Sequence, residues 1–349
     1  MRRRVAIAAL WTATTALVAA AQPGAGAQVV GTGLPSADAV VHAVLTAPSL
    51  IDYEGTKLLT AVRGERVETV TILESSKRLG KLRLEFLSPE SVSGRLIVDD
   101  GVTAWQYEPS LHLVVRGPSF AGSPASAIRL DEIPRYYAAE VLGAEEVIGR
   151  QTVVLALTPR ATGVSRRFWV DQSTGVILRT EARDARGSVL FTSFFTRISF
   201  SLNLPSALFR FHLPAGARIF SFYLAGDPIA APQALRQEAG FAVRVPEVLP
   251  VGYRFRDGTV ARYGALAAAA ATYTDGLSVL TIFQTPSSRL AFPQAGERIQ
   301  LHGGRARFLD LGYFRMLMWE SRGVSLAAIG TLPATALVMI ADELNAMAR

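Results

Sequence analysis

From Ile51 to Ser201 the side chains repeatedly alternate apolar and polar, and this two-residue period limits the fold more than any other feature. Leu82, Leu84 and Phe86 alternate with Lys81, Arg83 and Glu85; Phe168 and Val170 alternate with Arg167, Trp169 and Asp171; Val153, Leu155 and Leu157 mark another strand. Such alternation predicts antiparallel sheet with one buried and one wet face. Turn-forming residues punctuate it at Arg63-Gly64, Asp99-Asp100-Gly101, Glu108-Pro109-Ser110, Ser173-Thr174-Gly175 and Ala185-Arg186-Gly187. About ten strands are expected over this stretch, interrupted by a helical pattern over Asp131 to Leu142. Ahead of the strands, Val40, Val41, Val44 and Leu45 form a helical stripe that Ser36 caps and Pro48 is expected to end.

Pro214-Ala215-Gly216 marks the exit from this region, and Ala217 to Ala231 reads as a linker that runs into a short helix over Pro232 to Gly240. A second block begins near Phe241. Strands are predicted at Tyr253–Phe255, Ala267–Tyr273, Ser278–Gln284, Gly304–Leu311, Phe314–Ser321 and Val324–Gly330, and a closing helix at Ala334–Met347. Sheet followed by a packing helix makes a compact α+β unit.

The N-terminus addresses compartment. Arg2, Arg3 and Arg4 precede an uncharged stretch from Val5 to Ala21, and Ala25-Gly26-Ala27 places small residues before Gln28. This order predicts a secretory signal peptide over residues 1–27 and an exported, periplasmic-type product. No Cys stands at the cut, so a lipid anchor there is not expected. Cleavage removes three arginines and leaves 322 residues, lowering the net charge from +7 to +4. That charge is too diffuse to argue for nucleic acid, which needs basic residues on one face. A chain of this length builds cores without disulfides, in keeping with its having no cysteine.

The sequence offers little chemistry. His42, His112, His212 and His302 lie far apart and make no metal-ligand spacing. A Gly-x-Ser-x-Gly elbow and a phosphate-binding loop are both missing. Asp99-Asp100, Asp131-Glu132 and Glu145-Glu146 read as turn and surface residues. No catalytic, metal or cofactor-binding residue is assigned.

Binding is a better prospect. Trp105 and Tyr107 share one face of a strand; Leu84, Phe86, Phe168, Phe191 and Phe195 belong to others. If the sheet curves, these seven are candidates to line a cavity for acyl chains, each buried methylene contributing roughly 0.8 kcal/mol. A core filled by helices is the competing reading.

The segments "DDGVTAWQYEP" (Asp99 to Pro109), "RRFWVDQSTGVILRTEARDARGSVL" (Arg166 to Leu190) and "LPSALFRFHLPAG" (Leu204 to Gly216) resemble the LolA-like lipoprotein carrier superfamily over roughly residues 36–216. The branch most similar is that of the RseB/MucB sigma-E regulatory proteins. "LPVGYRF" (Leu249 to Phe255), "YTDGLSVLTIFQTP" (Tyr273 to Pro286) and "MWESRGVSLAAIGTLP" (Met318 to Pro333) are similar to the smaller C-terminal domain of that branch. The resemblance implies a mainly β, α+β protein. Residues 28–216 would form a half-open antiparallel β-barrel capped by helices, 217–240 a linker, and 241–349 a smaller α+β domain. It implies a non-catalytic binding protein whose partners are the exported part of a membrane anti-sigma factor and lipid or lipoprotein acyl chains. A periplasmic lipid or lipoprotein carrier is the alternative.

Overall fold

The computed structural model describes residues 33–347 apart from 64–65, 121–131, 162, 201–202, 222–225, 264–265, 287–294 and 312–313. The predicted signal peptide lies outside the described residues. Among those described, no helix is long and apolar enough to cross a membrane. The chain divides into two compact units, the first ending at Ile219 and the second continuing from Phe220.

The first unit opens with α1 (Ala37–Leu50), where the Ser36 hydroxyl accepts from the Ala39 amide at 3.2 Å. The helix does not stop at Pro48. The Ser49 hydroxyl donates to the Thr46 carbonyl, and the Ile51 amide donates to the Ala47 carbonyl, so the last turn closes around the missing proline donor. The strands β1 (Tyr53–Arg63), β2 (Arg66–Lys77), β3 (Lys81–Ser88), β4 (Leu96–Asp99), β5 (Thr103–Glu108) and β6 (Leu113–Pro118) follow. Helix α2 is a single turn (Ile133–Tyr136). The strands β7 (Tyr137–Val147), β8 (Arg150–Pro159), β9 (Ser165–Asp171), β10 (Ile177–Arg183) and β11 (Val189–Phe200) follow, and β12 (Arg218–Ser221) runs through the point where the units divide. The helix expected over Asp131 to Leu142 is therefore mostly strand. Tyr137, Ala139 and Val141 alternate inward, and ten register positions with β8 outweigh a weak helical spacing.

All twelve strands form one open sheet in the order β12-β6-β5-β4-β3-β2-β1-β11-β10-β9-β8-β7. Helix α1 packs on β2 at one side and on β7 and β8 at the other. The result is half-open: β12 and β7 remain edges, and the barrel does not close.

The outer face is drier than alternation predicts. Trp169 and Asp171, expected to be wet, are buried. The Trp169 indole donates to Glu145 Oε2 at 2.6 Å and carries the Arg179 guanidinium 4.2 Å from its ring centre. Asp171 receives two bonds from Arg150 and caps the Ser173-Thr174 turn. On the inner face, opposite Leu82, Asp99, expected at the surface, is fully buried and accepts from the Ser119 hydroxyl and from the Gly101 and Phe120 amides. Burial outweighs these bonds and pushes its carboxyl up to about 6.

The second unit contains α3 (Pro232–Ala239), β13 (Arg254–Tyr263), β14 (Leu266–Thr274), β15 (Val279–Pro286), β16 (Glu297–Leu301), β17 (Gly304–Asp310), β18 (Arg315–Ser321), β19 (Val324–Gly330) and α4 (Ala334–Ala346). Its sheet runs β13-β14-β15-β19-β18-β17-β16. Leu337, Ile340, Ala341 and Leu344 of α4, with Leu235 and Ala239 of α3, close one core over Leu317, Trp319, Leu326 and Ala328. Residues 232–239, read from sequence with the linker, thus enter this core. β16 has no counterpart among the predicted strands, and β13 runs eight residues beyond the predicted end at Phe255.

Candidate binding face beneath the first helix

Strand register sorts the seven candidate residues onto two faces. Leu84 stands opposite Glu74 and Ile97, and Phe86 opposite Ile72. Across the sheet, Ile72 pairs with Lys57, Lys57 with Phe195, and Ala61 with Phe191. Ala182 then joins Phe191, while Thr180 pairs with both Ser193 and Phe168. Paired residues share a face, so Leu84, Phe86, Phe168, Phe191 and Phe195 form one buried inner surface. Trp105 and Tyr107 do not belong to it. Trp105 pairs with Val98 and Tyr107 with Leu96, both of the opposite face. There Trp105 stacks on Phe211 with ring centres 5.3 Å apart, and the Tyr107 hydroxyl meets His112 Nδ1 at 3.1 Å. These two aromatics help seat the segment after β11 on the outer surface.

Beneath α1, the inner surface carries a polar cluster that the sequence reading missed. Lys57 Nζ donates to Glu74 Oε2 at 2.6 Å, and the Tyr53 hydroxyl donates to Glu74 Oε1 at 2.7 Å. Lys57 and Glu74 are each 1% exposed, and the ammonium lies 4.1 Å from the Phe195 ring centre. Burial lowers the Lys57 ammonium from its ordinary range, more than Glu74 raises it. The Tyr53 hydroxyl is pushed well up, by burial first and the Glu74 charge second. The available signal was the inward series Tyr53, Gly55, Lys57, Leu59 and Ala61: a lysine at a core position, in a chain with only three. Gly55 is needed there because an added methyl group would stand 2.5 Å from the Arg197 carbonyl and 2.7 Å from the Phe195 ring.

Lys57, Glu74, Tyr53 and Ser76 line a pocket of about 40 Å³ closed by Val44, Ala47 and Pro48 of α1. Drug-sized ligands take pockets of roughly 300–1,000 Å³. In this arrangement α1 fills the hollow, so the helix-filled reading describes this part of the inner surface. The same face also buries the Gln106 amide and the Thr180 hydroxyl with no hydrogen-bond partner among the described residues, groups that take water or a bound polar atom. Among the described residues, no cluster of three metal-ligating side chains is present.

The first unit is thus an open antiparallel sheet with a helix packed on it and buried polar groups on its apolar inner side. The MucB/RseB N-terminal domain matches residues 36–210, and the chain belongs to the MucB/RseB family. Among solved structures, the chain is similar to the MucA/MucB complex of Pseudomonas aeruginosa at 20% identity, covering 87% of this chain and 96% of the other with a TM-score of 0.49. A crystal structure of MucB matches at 17% identity over the same shares, also at 0.49. A LolA superfamily protein from Nitrosomonas europaea matches 51% of this chain and 98% of its own at 15% identity and a TM-score of 0.28. No curated protein matches the sequence.

Proposed function

We propose that the protein is exported by its N-terminal signal and acts without catalysis, holding the exported segment of a membrane anti-sigma factor. Lipid or lipoprotein acyl chains release that hold by entering the inner face of the first unit. The observation that carries this reading is the family match over residues 36–210. The MucB crystallised with MucA is a relative with a partner of this kind. The geometry adds a route for lipid control. Leu84, Phe86, Phe168, Phe191 and Phe195 form a buried apolar surface, and Phe195 packs in one cluster with Ala47 of α1, so an acyl chain entering at that end displaces α1. That couples occupancy to the position of one helix. The same surface would serve a periplasmic lipid carrier, the second reading; the second unit, with its own core, favours the regulator.

Capture of the tagged protein from its native envelope, with mass spectrometry of bound protein and lipid, tests this. A co-purifying single-span membrane protein with an exported tail, released on adding acylated lipid, is the expected result. Recovery of lipoproteins without such a partner would transfer the assignment to the carrier.

A further inference from the structure

The second unit has a charged groove on the sheet face away from α4. Arg298 of β16 and Arg305 and Arg307 of β17 line an open hollow of about 570 Å³, with Met318 and Glu320 of β18. Arg298 stands directly opposite Arg307 in the β16–β17 hairpin. Like charges in that position weaken a hairpin. Arg298 and Arg305 are exposed, and among the described residues neither has an ion-pair partner. The one acid in the lining, Glu320, accepts from the Ser325 hydroxyl at 3.4 Å. The groove therefore keeps a net positive charge.

Two further features narrow the occupant. The first is that β16 ends its sheet, and among the described residues no strand pairs with its outer side. Leu301 and Gly304 flank the two-residue His302-Gly303 turn and are register partners. In such a hairpin the flanking pair exchanges hydrogen bonds, and bonded and non-bonded pairs then alternate. The amides and carbonyls of Arg298 and Gln300 consequently point outward, along the free edge. The second is spacing. Arg305 and Arg307 are two residues apart on one strand, roughly 6.8 Å, the repeat of alternate side chains in any extended peptide.

We infer that this groove and edge bind an extended acidic peptide segment of a protein partner. The segment adds as a strand beside β16 and lays carboxylates at alternate positions over Arg298, Arg305 and Arg307. The inference rests on the partner-binding reading and says where and by what chemistry the partner is gripped.

The test uses the mature chain and a fluorescent ten-residue peptide alternating glutamate and valine, with a glutamine-for-glutamate analogue as control. Fluorescence anisotropy at low salt should show binding of the acidic peptide and at least tenfold weaker binding of the analogue. Arg298→Gln with Arg305→Gln should weaken the acidic peptide at least tenfold. Gln300→Pro removes one outward amide and leaves the arginines in place, and it should also lower binding. Because proline could unfold the hairpin, an acidic peptide N-methylated at alternate residues makes the same test on the unaltered protein. Undiminished binding to the arginine variant, or of the N-methylated peptide in both alternate registers, would overturn the inference. So would binding to phosphatidylglycerol vesicles without binding to the peptide. Failure of the peptide alongside successful envelope capture removes this site and leaves the partner reading standing. The reverse outcome keeps the groove as a peptide site and removes the anti-sigma assignment.

Discussion

Replacing Lys57 with methionine isolates the energetics of the cluster beneath α1. The Lys57–Glu74 contact is 2.6 Å long between side chains only 1% and 2% exposed. Methionine fills similar space and removes the charge. Glu74 then keeps one donor, the Tyr53 hydroxyl at 2.7 Å, and no cation. Breaking a buried pair in this way costs about 3–5 kcal/mol, because the remaining charge is stranded away from water. At about 2–4 °C per kcal/mol for a unit of this size, the unfolding temperature should fall by about 6–20 °C. Replacing both partners, Lys57→Met with Glu74→Leu, removes the stranded charge, and the Tyr53 hydroxyl retains Ser76 as a neighbour. The double variant should return to within about 1 kcal/mol of the parent or exceed it. Urea unfolding followed by circular dichroism, repeated by calorimetry, measures both. A single variant that loses less than about 1 kcal/mol, or a double variant as unstable as the single, would refute the claim that this pair matters through desolvation.

Gly55→Ala should destabilise the first unit by about 1–3 kcal/mol through overpacking, since the new methyl group meets Arg197 and Phe195; chemical denaturation reads this directly. Asp99 has its folded-state pKa raised from 3.8 to about 6, so the folded state holds this proton more tightly than the unfolded one. Its contribution should therefore weaken stability by about 3 kcal/mol as pH rises from about 4 to about 6, and that component of the pH slope should vanish in Asp99→Asn. Phe168→Asp, on the inner face, should unfold the first unit by circular dichroism, because an unpaired charge replaces a buried ring. Trp105→Ala and Phe211→Ala should show a coupling of about 0.5–1.5 kcal/mol in a double-mutant cycle, and independence would mean the stack does not anchor the outer segment.

The legible parts of the site were those set within one strand. Alternation placed Leu84 with Phe86 and Trp105 with Tyr107 correctly within each strand. It could not say that the two pairs face opposite sides, because the phase of one strand against another depends on turn length, and one residue more or less in a turn exchanges the faces. The same limit hid the Lys57–Glu74 contact, whose partners lie on different strands, and left β16 and its arginines unread.

By itself, the sequence determined that the first unit would be antiparallel sheet, that Ser36 would start its helix, and that glycine turns such as Gly101, Gly175 and Gly187 would reverse the chain. Each of these follows from local sterics and hydrogen bonding within a few residues. Only the tertiary structure decided that β1 pairs with β11 about 140 positions later, and that α1 closes a pocket over a buried lysine. Those outcomes depend on which distant apolar surfaces exclude water together, and a local period carries no information about such partners.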